Sequence, residues 1–252
     1  MADLHLGKTD HVHDPRDLRL AQYLDTATLP SLPPTFGHDD LVTSWGMLGN
    51  DRYGDCVWAG AGHEHELWTR ESKTHADATF TDANVLAAYS AVTGFTPTDP
   101  STDRGTDMRA AANYRRTHGI VDTAGHTHKI GAYVALGIGN LTHLDYAIYL
   151  FSAAGIGIQF PVSAMDQFRQ GVPWDYVPGS KIEGGHYIVG TRKRPDGLYD
   201  VITWGKVQPA TPRFLTHYMD EGLTYLAPEM LDHSHSIDGF ALAALRADLA
   251  AV

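Results

Sequence analysis

The sequence predicts an α+β fold of two lobes meeting along a cleft. Helix-period segments dominate its first half, strand-like runs dominate its second, and no regular βα alternation joins them. Its 252 residues are enough to bury a core without disulfides or metal staples, and 43% hydrophobic with 19% charged residues is a globular profile. Thirty acids against 19 bases leave a formal charge of −11, a net field that opposes a polyphosphate, so no nucleic-acid partner is expected. No window approaches the roughly 18 apolar residues of a membrane span, residues 1–14 lack an apolar signal-peptide core, and Cys56 is the single cysteine. The expectation is cytoplasmic synthesis, with no signal peptide, no membrane association and no internal disulfide.

Residues 1–44, with Pro15, Pro30, Pro33 and Pro34, read as an extended arm carrying one short helical patch at 17–24. The main domain is expected over 45–232, with a helical lobe at 45–125 and a sheet lobe at 126–232. Helix 55–70 follows the Gly/Asn/Asp-dense loop LGNDRYGD; Asp55 is its N-cap, and Val57, Ala61, Glu64 and Trp68 recur one turn apart, which marks a buried central helix. Thr81 or Asp82 caps a second helix, 81–93, whose stripe of Val85, Leu86 and Tyr89 ends at Gly94. After a Pro/Asp/Ser/Thr loop at 96–103, a third helix at 106–118 closes at Gly119, and its Tyr114, Arg115 and Arg116 read as a solvated basic face. Strands are expected at 128–136, 155–162, 184–193 and 198–206, with a helix at 141–154 between them. The turn signal in RKRPDGL makes the last two strands antiparallel neighbours. Residues 233–252 form a C-terminal helical tail, Ala-rich from 241.

Cys56 falls in the first turn of the central helix, where unpaired amides and the helix dipole favour a thiolate; the competing reading is a small buried hydrophobe. His186 opens a strand behind Gly184 and Gly185, so its imidazole can face a cleft and take a thiol proton, against the competing reading of a core or surface histidine. Four His-x-His pairs occur, His11/His13, His63/His65, His126/His128 and His233/His235. On a helix the two rings of such a pair diverge, which makes HEHE at 63–66 a poor chelate, and the other three read as solvated. No P-loop or dinucleotide motif appears, so neither a cofactor nor a metal site is expected.

GNDRYGDCVWAGAG (49–62) resembles the loop and helix start carrying the nucleophile in papain-like cysteine peptidases, and GGHYIVG followed by YDVITWGK resembles their His strand and Trp-Gly strand. DRGTDMRAAANYRRTHGI (103–120) is similar to the family's substrate-groove loop and following helix, and HLDYAIYLFSAAGIGIQFPV (143–162) to its helix and first barrel strand. The likeness covers about 45–226 and implies a papain-like two-lobed fold, helical lobe first and antiparallel sheet or barrel lobe second. It also implies Cys56 as nucleophile, His186 as general base and acid, and an oxyanion hole of the Cys56 amide with Asn50, which stands where the family has glutamine. Where the family has an asparagine orienting the imidazole, sixteen residues after the His, this chain has Ile202. Val57 stands where the family has tryptophan, with Trp58 shifted by one. Asp200 reads as a solvent-facing acid beside the hairpin, with the imidazole as its other possible partner.

Two functions follow from the resemblance. One is a cysteine peptidase or amidase acting on peptide or amide substrates. The other is a catalytically weakened or inactive member serving as a structural or decoration subunit, favoured by Ile202 and Asn50. The Gly-Asn-Asp…Gly-Asp-Cys loop also resembles cysteine-peptidase-like reading frames of actinobacterial phages, which implies a virion-associated protein. The arm is expected either to strap its own cleft in the manner of a propeptide or to join subunits of a homo-oligomer.

Overall fold

The computed structural model describes residues 4–25, 27–72, 75–231 and 240–251. In chain order the elements are β1 (Phe36–Gly37), α1 (Cys56–Ser72), α2 (Asp82–Thr93), α3 (Met108–Thr117), β2 (Ile120–Val121), β3 (Thr127–His128), β4 (Ala132–Ala135), α4 (Leu141–Phe151), β5 (Ala154–Pro161), α5 (Val162–Gln170), β6 (Ile182–Lys193), β7 (Tyr199–Thr203), β8 (Lys206–Ala210), α6 (Pro212–Tyr218), β9 (Met219–Leu226), α7 (Pro228–Leu231) and α8 (Leu242–Ala251). The expected order, helices then sheet, holds. Among the described residues no helix is long and apolar enough to cross a membrane.

All but Arg70 and Glu71 of the 17 residues of α1 are buried, so it is the expected central helix. Burial on every side includes the polar HEHE run, and buried polar groups need partners. His63 Nε2 lies 2.8 Å from the Gly46 carbonyl oxygen, Glu64 pairs with Arg115 at 2.7 Å, and Glu66 Oε1 accepts from the Phe80 amide at 3.3 Å. This corrects two expectations. Arg115 is no part of a solvated face: α3 turns it inward to Glu64 and over the Tyr225 ring, 4.4 Å from its centroid, because a buried carboxylate requires a cation. His128, read as solvated, is buried.

The main sheet runs β4-β9-β5-β6-β7-β8 with antiparallel neighbours, and β1 adds to β6 at Phe36↔Lys193. The anticipated hairpin pairs β6 with β7, placing Val189 opposite Ile202. β9, α5 and α6 were not expected from the pattern. β9 carries Asp220, Glu221 and Gly222, poor strand formers, and is held by ladders to β4 and β5 on its two sides. One hydrophobic core fills the sheet lobe around Phe160, Trp174, Trp204 and Phe214; the other surrounds α1 with Trp58, Trp68 and Tyr89 and reaches β6 through Tyr187 and Val189. α1 lies so close to β6 that a Cβ at Gly60 would sit 2.3 Å from the Tyr187 ring.

The arm packs on its own chain. Leu20 and Tyr23 enter the sheet-lobe core, and the Ala135 amide donates to the Leu18 carbonyl at 2.7 Å. Arg192 of β6 pairs with Asp39 and Asp40. The C-terminal tail returns to this layer, where Phe240 packs on Tyr23 and Phe151. His233 and His235 lie outside the described residues.

Candidate active site

The Asp55 backbone carbonyl starts α1 by accepting from the amides of Trp58 and Ala59 at 2.8 and 2.9 Å, which leaves Cys56 in the first turn with its amide at the helix end. The Cys56 sulfur accepts from the Tyr187 amide at 3.4 Å, so it rests against the residue that follows His186 on β6. The His186 ring stacks on Trp204, with centroids 4.3 Å apart and planes at 19°, and meets Phe160 edge-on. Its Nε2 lies 2.7 Å from Thr203 Oγ1, while the buried Nδ1 has no hydrogen-bond partner among the described residues. The fold thus seats the α1 thiol against β6, the strand that carries His186, at the seam between helices and sheet.

Thr203 is the residue sequence reasoning missed. Spacing from the histidine pointed to Ile202, but Ile202 is buried in the core around α1, and alternation along β7 turns its neighbour toward His186. The signal available was a hydroxyl between Ile202 and Trp204. Asp200 is buried, not solvent-facing, and lies 3.6 Å from Arg194. Trp58, one place beyond the family's position, donates to Thr106 Oγ1 at 3.0 Å.

Asn50 also reaches the seam, where its Nδ2 donates to the carbonyls of His5 at 3.2 Å and Tyr53 at 3.0 Å. The His5 carbonyl belongs to the arm and accepts from Trp204 Nε1 as well, at 3.2 Å. From there the arm runs between Gly185 of β6 and Thr106. The amides of Gly7 and Lys8 donate to the Gly185 carbonyl at 3.2 and 3.0 Å, the Thr106 amide donates to the Gly7 carbonyl at 2.7 Å, and the Thr9 amide donates to the Thr106 carbonyl at 3.1 Å. Glycine is required on both sides of this contact: a Cβ at Gly7 would lie 1.9 Å from the Gly54 oxygen, and one at Gly185 2.2 Å from the Lys8 oxygen. The Lys8 side chain is 0% exposed; its ammonium lies 3.0 Å from Asp220 and 3.8 Å from Glu221, and its stem passes over Gly157.

Burial sets the protonation of both side chains. Burial pushes the Cys56 thiol up to about 12, against the amides of Tyr187, Gly7 and Val57, which favour the thiolate. Burial likewise pulls His186 down to about 3. The adjacent Asp55 carboxyl is pushed well above the usual carboxylate range by the same desolvation. The two groups therefore stand as neutral thiol and neutral imidazole, and the thiolate expected at a helix N-terminus is outweighed by loss of water.

No family model matches the chain, and no curated protein matches it in sequence. Solved structures do share its fold. Xylellain, a cysteine protease from Xylella fastidiosa, superposes with a TM-score of 0.69 at 12% identity, covering 89% of this chain and 96% of that one. Procathepsin B S9 from Trypanosoma congolense gives 0.66 at 11% identity over 88% and 86% of the two chains. Digestive procathepsin L 3 from Tenebrio molitor larval midgut gives 0.62 at 12% identity over 89% and 77%. A helical part followed by an antiparallel sheet is the architecture the chain shares with these proteases, and the chain is built on the papain-like cysteine-protease fold.

Proposed function

We propose that this protein is a papain-like cysteine peptidase or amidase held latent by its own N-terminal arm. In this reading Cys56 attacks a carbonyl carbon, and His186 takes the thiol proton through Nδ1 and returns it to the leaving amine. Thr203 positions the ring from the other nitrogen. The Cys56 amide and the Asn50 side-chain amide receive the developing oxyanion. The observation that carries the reading is the backbone pairing of Gly7 and Lys8 with Gly185 and Thr106 across Cys56, because it occupies the donors and acceptors that an extended peptide substrate would use. Lys8 further suggests the substrate class: the slot over Gly157 ends in Asp220 and Glu221, a site for a lysine or arginine side chain.

Cutting the arm tests this. A site-specific protease sequence placed in the exposed segment 12–16 would release residues 1–11. Cleavage should bring fast alkylation of Cys56 and hydrolysis of basic peptides near neutral pH, both lost in His186→Ala. Slow labelling that is indifferent to His186 after the arm has left would refute the catalytic reading.

The second reading is a non-catalytic structural subunit, for instance of a phage particle. It is favoured by the closed state itself, in which Cys56 is 2% exposed and His186 0%. It predicts normal assembly of Cys56→Ala and no hydrolysis once the arm is removed.

A further inference from the structure

α1 carries a second group of interest on the same helix as the thiol. His65 is 0% exposed, and neither of its ring nitrogens has a hydrogen-bond partner among the described residues. An unpaired buried imidazole is costly unless a ligand satisfies it. Beside it stand His128 of β3, with ring centroids 5.3 Å apart, and Glu229 of α7; one donor atom from each of the three lies within 4.8 Å of the others. His128 is held on both sides, its Nε2 3.1 Å from Asp122 Oδ2 and its Nδ1 3.2 Å from Glu229 Oε1. Glu229 Oε2 is buried with no partner among the described residues.

We infer that His65, His128 and Glu229 form a binding site for a zinc-class divalent transition-metal ion, with Asp122 holding His128 from behind. Two imidazoles and one carboxylate, with a fourth place for water, suit zinc, and a carboxylate on the far nitrogen of a ligating histidine fixes its tautomer and direction. His128 would bind through Nδ1, replacing its hydrogen bond to Glu229. Charge also fits. Asp122 at 3.1 Å and Glu229 at 3.2 Å from the His128 ring supply two carboxylates against the two positive charges of the ion. The Arg115 cation, whose field reaches His65, is already paired with Glu64 at 2.7 Å. Metal bonds of about 2 Å set tetrahedral ligand atoms about 3.3 Å apart, close to the 3.2 Å between His128 Nδ1 and Glu229 Oε1, so binding chiefly draws His65 inward.

His65 lies nine residues from Cys56 on one helix, about 13 Å along its axis, so the ion takes no part in thiol chemistry. It would tie α1, β3 and α7 together where the chain leaves β9.

The untagged full-length chain, stripped with EDTA and dialysed against zinc chloride or cobalt chloride, tests the site. The expected result is one zinc per chain retained through gel filtration, a raised Tm with zinc, and the visible absorption bands of tetrahedral cobalt. Glu229→Gln should lose both retention and bands, and Asp122→Asn should weaken zinc by about 10- to 100-fold. His126→Gln, at an exposed ring, should change neither. A wild-type chain that retains no zinc and shows no Tm shift overturns the inference, and so does equal retention by Glu229→Gln. The wild-type measurements need no variant to fold.

Discussion

Replacing Lys8 with methionine should unlatch the groove while keeping the aliphatic stem over Gly157. The ammonium is fully buried, 3.0 Å from Asp220 and 3.8 Å from Glu221, and the Asp220 side chain keeps 18% of its surface in water. Breaking a fully buried pair costs about 3–5 kcal/mol; with one partner partly hydrated, about 2–3 kcal/mol is the appropriate range. That cost falls on the docked arm and not on the released one, so at about 1.36 kcal/mol per decade the open population should rise by about 30- to 150-fold. Cys56 is the single cysteine, which makes iodoacetamide labelling followed by mass spectrometry unambiguous. When reclosing outpaces alkylation, the observed rate is the open fraction times the intrinsic rate, so the ratio of variant to wild type reads the shift directly. A ratio below about threefold, in a variant whose far-UV circular dichroism is unchanged, would refute the claim that this ion pair latches the arm.

In the arm-cleaved protein, Thr203→Val should lower kcat/KM about tenfold through kcat, with Thr203→Ser close to wild type, since one orienting hydrogen bond is at stake; equal activity of all three would remove Thr203 from the mechanism. Acid should destabilise the fold through its buried histidines. His63 is pulled down to about 4 and His186 to about 3 by burial, so between about pH 6.5 and those values the unfolded chain binds protons that the folded chain does not, and stability falls as pH falls. His63→Gln should therefore reduce the pH slope of urea-unfolding free energy in that window by about one proton; an unchanged slope would contradict a neutral His63. Arg115→Met strands Glu64 in the core and should cost about 3–5 kcal/mol in urea, whereas a loss under about 1 kcal/mol would mean the pair is hydrated.

The fold, with Cys56 at a helix start and His186 on a strand, was legible because it is written in local strings. The helix start at Cys56, the Gly-Gly-His strand opening and the Pro-Asp-Gly hairpin each declare themselves within a few residues. Thr203 was not legible because strand alternation makes adjacent residues face opposite ways, so an offset of one decides which side chain meets the imidazole. Arg115 and His65 were missed for a different reason: helical periodicity separates apolar from polar, and a central helix buried on all sides defeats that rule, leaving polar residues inside whose partners come from distant segments.

The arm stands apart from these cases. Besides the Lys8 ion pair, its hold is made by main-chain atoms of Gly7, Lys8, Gly185 and Thr106, and that part carries no side-chain signature beyond the two glycines that permit the approach. The displaced pKa values of Cys56 and His186 both have burial as their first cause, and in the proposed function the arm is part of what buries them. Letting water into the groove moves the thiol down and the imidazole up, toward the ordinary range in which a helix terminus and a neighbouring histidine can stabilise a thiolate. On this reasoning latency resides in the arm and not in the loss of the family's asparagine, and a chain with Cys56, His186 and Thr203 intact should change from inert to reactive by the removal of a segment that contributes no catalytic group.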